Sequence, residues 1–334
     1  MFRHIVLILN IIVCLCACGT TARMTGGISS FTDSVRGEYY LDSKKYDAGI
    51  GYFTSRLSDK PQSASVRYYL GRLYLAKNDV VGALDQFMNA VLLAPDKTDH
   101  HFWLGVTYGA HGQPDVEKKS YERALALNPK HLQALIYSGH NRLENGQYGM
   151  ALEFYERALK RQSRNPSALY ASALVLKKMG RKGEEIQRWK RFLSMYPSGA
   201  PAVQATRHLN SHGDFSYRNH RIGPRVFTMK QIEFNASTDV VSKESRESLV
   251  FVGKIIRKNE KLLLHVVVFQ ENNAGLAKAR AKSIKNYICQ RYPDIDVRRI
   301  RLSWFGETEN LQGGKTRVSL AESVNIFTEF SRLH

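Results

Sequence analysis

The sequence predicts a multidomain protein in which an all-α solenoid of about five helix pairs precedes a smaller α+β domain. Two observations support this fold class. Between residues 30 and 199 the chain repeats every 34 residues, a period typical of helical repeat arrays. After about residue 226 the repeat stops, and apolar runs typical of strands alternate with helical patterns. A length of 334 residues, of which 43% are hydrophobic, is enough for two folded domains.

Three columns define the repeat, counted in segments that begin at residues 30, 64, 98, 132 and 166. The eighth column contains small residues: Gly37, Gly71, Gly105, Gly139 and Ala173. The twenty-fourth contains aromatic residues: Phe53, Phe87, Tyr121, Tyr155 and Trp189. The thirty-second is mostly proline: Pro61, Pro95, Pro129, Ser163 and Pro197. A small residue lets two helices approach closely, an aromatic ring fills the space between them, and proline ends the second helix because it lacks an N–H.

These columns resemble the tetratricopeptide repeat, most clearly in YYLGRLYLAKNDVVGALDQFMNAVLLAP and WLGVTYGAHGQPDVEKKSYERALALNP. The resemblance implies a non-catalytic array over residues 30–209, capped by a helix at residues 200–209, with a groove for partner segments along its first helices. By register it implies the groove residues Tyr68, Arg72, Phe102, Ile136, His140, Tyr170 and Lys177. The Lys/Asn/Arg set with which some members of the family clamp chaperone tails is missing, so the partner is not identified.

The start of the chain predicts export. Arg3 and His4 precede an apolar run over residues 5–15, which is too short to cross a bilayer because a spanning helix needs about twenty residues. A short basic start followed by such a run predicts a signal peptide over residues 1–17.

Leu15-Cys16-Ala17-Cys18 resembles the lipobox of bacterial lipoproteins. The resemblance implies cleavage before Cys18, lipid on its sulfur, and a tether over residues 18–29. Gly19 stands where the family's inner-membrane retention signal is an aspartate, which implies the outer membrane, facing the periplasm. The alternative is an ordinary secretory signal with incidental cysteines. If the lipobox holds, Cys289 is the remaining free thiol and no intramolecular disulfide is expected.

The net charge of +19 predicts attraction to polyanions, namely nucleic acid, anionic lipid or an acidic polymer, although a generally basic surface without such a ligand is an equal alternative. A periplasmic location argues against nucleic acid as the partner.

Residues 210–225 mix turn formers with charge and are predicted to be a linker. His208, His212 and His220 lie close in sequence, but nothing places two of them on one helix face, so no metal site is expected.

The last domain, residues 226–334, is predicted to be an α+β sandwich with its helices on one face. The predicted elements are a strand in MKQIEFNAS, a helix marked by Leu249, Val252 and Ile256, a strand over residues 262–269, a helix with the apolar stripe Ala277, Ala281, Ile284 and Ile288, and strands over residues 300–304 and 324–326.

This order resembles the OmpA-like periplasmic domain. The matching residues are Phe234 and Ser237 of the first strand, Leu276, Arg280 and Ala281 of the late helix, and Gly306 and Glu307 of the turn that follows. The resemblance implies association with peptidoglycan: the helix arginine holds a carboxylate of diaminopimelate, and an aspartate after the preceding strand holds the ammonium group.

Arg280 is the matching arginine, and Glu271 is the replacement expected for the aspartate, because the family's Gly-His-Thr-Asp is absent here. The family's late Asn-Arg-Arg-Val is replaced by Ala-Glu-Ser-Val at residues 321–324. Position alone leaves a second interpretation open, in which Arg280 belongs with Lys278, Lys282 and Lys285 to a solvated basic helix face.

No nucleophile–base set, zinc signature or phosphate loop is present, so neither an enzyme nor a cofactor is predicted. We expect a lipid-anchored scaffold that binds envelope proteins through the repeats and peptidoglycan through the last domain, in assembly of a complex such as a pilus or secretion apparatus. Two alternatives remain open: a last domain that docks proteins without binding the wall, and an accessory factor of a cell-wall enzyme.

Overall fold

The computed structural model describes residues 30–314 and 316–331. This part of the chain contains thirteen α-helices, which is more than five pairs, and seven β-strands. It divides into two compact units, of which the first ends at Gln162 and the second begins at Ser163. The predicted signal peptide, Cys18 and the tether lie outside the described residues.

The first unit consists of eight helices arranged as four consecutive pairs. Their bounds are residues 30–42 (α1), Tyr46–Asp59 (α2), Ala64–Ala76 (α3), Val80–Leu93 (α4), Thr98–Ala110 (α5), Pro114–Leu127 (α6), Leu132–Glu144 (α7) and Tyr148–Arg161 (α8). The fifth pair, Pro166–Lys178 (α9) and Lys182–Met195 (α10), belongs to the second unit, and Gly199–Ser211 (α11) packs against α10 where the sequence predicts a cap.

The small and aromatic columns meet inside three of the helix pairs, α3–α4, α5–α6 and α7–α8, whereas Gly37 of α1 faces Tyr69 of α3. A Cβ atom added at Gly105 would lie 2.5 Å from the Tyr121 ring, and one at Gly139 would lie 2.5 Å from the Tyr155 ring. These distances are too short for any side chain larger than hydrogen. The aromatic residues of the column are at most 1% exposed: Phe53, Phe87, Tyr121, Tyr155 and Trp189. The predicted repeat and its 34-residue register are confirmed.

A further column marks the turn inside each pair. The fifteenth residue of every repeat has a positive φ angle, and these angles are 54° at Lys44, 63° at Asn78, 77° at Gly112, 70° at Gly146 and 70° at Gly180. Glycine and asparagine tolerate this left-handed conformation best. The chain therefore reverses between the first and second helix at the same register position each time.

The second unit continues with strands and two further helices. Their bounds are Tyr217–Ile222 (β1), Arg225–Lys230 (β2), Arg246–Lys258 (α12), Leu262–Gln270 (β3), Ala274–Arg291 (α13), Ile300–Phe305 (β4), Glu309–Gly313 (β5), Thr316–Leu320 (β6) and Glu322–Phe330 (β7). The central sheet has the order β4-β3-β7, with β3 parallel to β4 and antiparallel to β7. The hairpins β1–β2 and β5–β6 stand beside it as separate two-stranded sheets.

The predicted linker over residues 210–225 is wrong. It contains β1, which pairs antiparallel with β2 from Tyr217↔Lys230 to Ile222↔Arg225. This hairpin packs against α11, and its buried Arg218 makes a two-pronged ion pair with Glu309 at 2.7 and 2.9 Å. The predicted strand in MKQIEFNAS is correspondingly displaced: β2 ends at Lys230, and Phe234 forms only an isolated bridge with Val241.

A buried histidine joins the hairpin to the central sheet. Nδ1 of His220 donates to the carbonyl oxygen of Ile326 in β7 at 2.9 Å. Burial lowers the pKa of His220 to about 4, so the ring is neutral at neutral pH. Its charged neighbours, Arg218 and Glu309, pair with each other.

The remaining elements of the last domain follow the prediction. The four residues of the apolar stripe on α13 are fully buried, and α13 packs against β3 and β4: Ala277, Ala281, Ile284 and Ile288. Leu249, Val252 and Ile256 of α12 belong to the same core. The hairpin β5–β6 was not predicted, because its short strands lack a clear apolar alternation. Within the described residues, no helix combines the length and the apolar composition needed to cross a membrane.

Replacing Gly105 with leucine is expected to destabilise the repeats. The new side chain would overlap the Tyr121 ring and approach Ser120, whose Cβ lies 3.2 Å from the added Cβ, at a cost of about 1–3 kcal/mol or more. Thermal unfolding of the purified chain, followed by circular dichroism, measures the loss. Gly149→Leu on α8 is the matched control, because an added Cβ there meets nothing within 4 Å. Equal melting temperatures for the two variants would contradict the packing described for the eighth column.

Candidate functional site

In the first unit, the predicted groove residue Arg72 lies among aromatic rings. Its guanidinium carbon is 5.0 Å from the centre of the Trp103 ring, 5.6 Å from Tyr68 and 5.8 Å from Tyr69. Nη1 donates to the carboxylate of Glu38. The buried Nε has no hydrogen-bond partner in the described part of the chain. Arg72 is thus held in place by cation–π contacts and one ion pair.

A cavity of about 360 Å³ opens beside Tyr68. Its lining residues are Tyr68, Asp96, Lys97, Thr98, Asp99, His100, Asn128 and His131. Nδ1 of His131 accepts the N–H of Ala134, so its proton is on Nε2, which donates to Asp99 at 2.9 Å. This hydrogen bond lowers the pKa of Asp99. The cavity therefore offers an ionised carboxylate next to an aromatic ring, a combination that suits a cationic or N–H donor group.

The other predicted groove residues of the first unit are less accessible to a binding partner. Phe102 and Ile136 are only 4% and 7% exposed, so they belong to the core beneath the surface and the prediction that they line a groove is corrected. His140 is half-buried, and its Nδ1 lies 2.7 Å from the hydroxyl of Tyr155. Burial lowers the pKa of His140, which favours the neutral ring.

In the second unit, Tyr170 and Lys177 lie on α9. The ring of Tyr170 packs edge-on against Trp189 at 5.0 Å, and Nζ of Lys177 donates to Nδ1 of His208 on α11 at 2.9 Å. Lys177 is therefore hydrogen-bonded to the capping helix.

The three histidines considered for a metal site have separate hydrogen-bond partners. His208 pairs with Lys177, His212 with Glu185 and His220 with the Ile326 carbonyl. No group of metal ligands occurs among the described residues.

Arg280 lies in the wall of a second cavity, of about 240 Å³, and is only 2% exposed. Nε donates to the carbonyl oxygen of Thr238 at 2.9 Å, and Nη1 donates to Glu322 at 2.7 Å and to Gln270. The guanidinium carbon stands 4.6 Å from the centre of the Phe234 ring. Gln270 and Glu322 are direct partners in the register of β3 and β7, which is why both reach the same arginine.

The structure does not bring Glu271 to this arginine. Glu271 is exposed beyond the end of β3, and its backbone N–H donates to the carbonyl oxygen of Ala321. The carboxylate beside Arg280 comes instead from Glu322, the first residue of β7. Sequence reasoning missed Glu322, because its position opposite Gln270 depends on strand register.

The lysines of α13 differ from Arg280, and from one another, in their contacts and exposure. Nζ of Lys278 lies 5.0 Å from the centre of the Trp304 ring, and Lys285 donates to the Ile300 carbonyl at 2.9 Å. Lys282 is exposed. Arg280 therefore does not belong to the solvated face.

Comparison with known proteins identifies the repeats. Residues 35–100 and 138–200 match one family model, and residues 101–131 match another; both are described as tetratricopeptide repeat. No curated protein matches the chain.

Several solved structures are similar to part of the chain. MamA is 19% identical, with 48% of this chain and 93% of that chain covered and a TM-score of 0.45. TTC0263 from Thermus thermophilus is 21% identical, with coverage of 54% and 98% and a TM-score of 0.45. PilW, described as a type IV pilus biogenesis factor, is 18% identical, with coverage of 57% and 94% and a TM-score of 0.48. From the family models and the packing of the repeat columns, we conclude that residues 35–131 and 138–200 of this chain consist of tetratricopeptide repeats.

Proposed function

We propose that this protein is a lipid-anchored periplasmic scaffold that holds segments of partner proteins on the first helices of its repeats. The observation that carries the proposal is the surface around Tyr68 and Arg72. It combines aromatic rings, a guanidinium held in place by them and a neighbouring ionised Asp99. Such a mixture suits a polypeptide, which offers carbonyl, N–H and side-chain groups together. The process we propose is assembly of an envelope complex, such as a pilus or secretion apparatus.

A photo-crosslinking residue tests the groove. A benzoyl-phenylalanine in place of Tyr68 keeps an aromatic ring in the cavity wall, and we expect it to form discrete adducts with one or a few envelope proteins in living cells. The control position is Leu92 on α4, which is 78% exposed and belongs to the second helix of its pair. Adducts at Leu92 and none at Tyr68 would contradict the proposal that partners bind to the first helices.

The membrane anchor is proposed from residues 15–19 and the lipobox that they resemble. Stable attachment to a membrane takes two acyl chains or more, whereas one chain gives marginal binding. Cys18→Ser is therefore expected to release the chain from the outer-membrane fraction as a soluble or uncleaved periplasmic form. Cell fractionation with a high-salt wash measures this. If the serine variant stays with the outer membrane after the wash, lipid is not what holds it there.

We further propose that the cavity at Arg280 binds the diaminopimelate-containing peptide of the cell wall. The resemblance to the OmpA-like domain supports this, and so does the chemistry of the wall of the cavity. Nη2 of Arg280 has no hydrogen-bond partner within residues 30–314 and 316–331 and can take a carboxylate. Glu322, whose side chain is 52% exposed, can take an ammonium group in the role first expected of Glu271.

Retention of the full chain carrying Cys18→Ser on purified sacculi tests wall binding. Arg280→Lys should fail nearly as badly as Arg280→Ala, because one ammonium group cannot keep the contacts to Thr238 and Glu322 and also bind a ligand carboxylate. Truncating one partner of such a charge pair costs about 2–5 kcal/mol. Glu322→Gln keeps an acceptor for Arg280, so it should lose binding with a smaller fall in melting temperature than Arg280→Ala causes.

Lys282→Ala is the control, since Lys282 is exposed on the same helix, and it should reduce only the salt-sensitive part of the retention. Equal losses for Lys282→Ala and Glu322→Gln, both vanishing in salt, would mean a diffuse basic face. Absence of retention by the parent chain would favour a protein-docking role for this domain.

A further inference from the structure

The cavity at Arg280 contains polar groups that the charged pair does not use. Both the nitrogen and the oxygen of the Gln231 side-chain amide are buried without a hydrogen-bond partner in the described residues, and the same holds for Oγ of Ser216. Both residues line the cavity together with Arg280 and Glu322. A buried polar group without a partner is costly, so three such atoms around one cavity suggest that a ligand supplies the partners.

Strand pairing places the two side chains together. The N–H of Gln231 donates to the carbonyl oxygen of Ser216 at 2.8 Å, which continues the β1–β2 register one step beyond Tyr217↔Lys230. Opposite residues of an antiparallel pair project their side chains from the same face. The amide and the hydroxyl therefore form one polar edge of the cavity, and Arg280 and Glu322 form another.

We propose that Gln231 and Ser216 form a subsite for a peptide group, next to the charged subsite of Arg280 and Glu322. The inference rests on the wall-binding role proposed for this cavity and deepens it. A carboxamide can donate to the C=O of a peptide group or accept from its N–H. The hydroxyl of Ser216 adds a further donor or acceptor.

The size of the cavity sets how much of a ligand enters. At about 240 Å³ it is smaller than the roughly 300–1,000 Å³ of pockets that enclose drug-sized ligands. It therefore admits one charged residue with the peptide group that precedes it. Glycan strands and folded proteins stay outside.

Two probes separate the subsites. Free diaminopimelate carries the charged groups without a peptide bond, whereas a wall stem tripeptide that ends in diaminopimelate carries both. We expect the full chain with Cys18→Ser to bind the tripeptide about tenfold more tightly than the free amino acid, measured by titration calorimetry. Gln231→Leu should remove this preference and still bind free diaminopimelate as the parent does.

Thermal unfolding gives the second readout. If the amide has no partner in the unliganded fold, Gln231→Leu replaces it with an apolar group of similar size and should raise the melting temperature. A merely structural glutamine, satisfied by ordered water, predicts a lower melting temperature instead, and that result would overturn the inference.

The binding outcomes distinguish this inference from the function on which it rests. Equal affinity of the parent chain for both probes, or an unchanged tripeptide preference in Gln231→Leu, overturns the peptide subsite and leaves wall binding intact. Binding of neither probe overturns wall binding itself, and the subsite with it. Ser216→Ala should weaken tripeptide binding in the same direction as Gln231→Leu.

Discussion

The close contact between a glycine on one helix and an aromatic ring on the next is the constraint on which the repeats depend. At Gly105 and Gly139 the facing tyrosine occupies the space that a Cβ would need. Because the same contact joins Gly71 to Phe87, it recurs every 34 residues in three consecutive pairs, where it limits the distance between the two helices. Side chains at the fifth and ninth positions of the first helices are consequently placed by packing, which is how Tyr68 and Arg72 come to share a surface with Asp99.

What could be predicted from the sequence is what depends on local periodicity. The repeat columns and the apolar stripe of α13 are contacts between residues at fixed spacing, so spacing alone locates them. The hairpin β1–β2 was mistaken for a linker because its stabilising partners, such as Glu309 for Arg218, lie far along the chain. Phe102 and Ile136 were placed correctly in the register, but register does not report how deeply a side chain is buried.

The site at Arg280 was also predictable only in part: the sequence motif located the arginine, but not its burial or its acidic partner. The motif located the arginine, yet its position off the apolar stripe gave no sign that it is buried. It is buried because Phe234 and the carbonyl of Thr238, from a segment preceding α12, cover it from one side, and the paired ends of β3 and β7 enclose it from the other. The identity of its acidic partner follows from strand register, so Glu322 could not be distinguished from Glu271 by proximity in sequence.

The distant partners of β1 also determine when this part of the chain can fold. Arg218 meets its carboxylate 91 residues later, and His220 meets the Ile326 carbonyl 106 residues later. The helix pairs of the first unit close over a few tens of residues and can form early, whereas β1 completes its contacts only when β7 is present. During that interval Ile222 and Met229 of the hairpin lack their core, and exposed apolar surface of this kind promotes aggregation. Premature truncation anywhere before β7 should therefore be more harmful to this protein in vivo than loss of an entire N-terminal repeat.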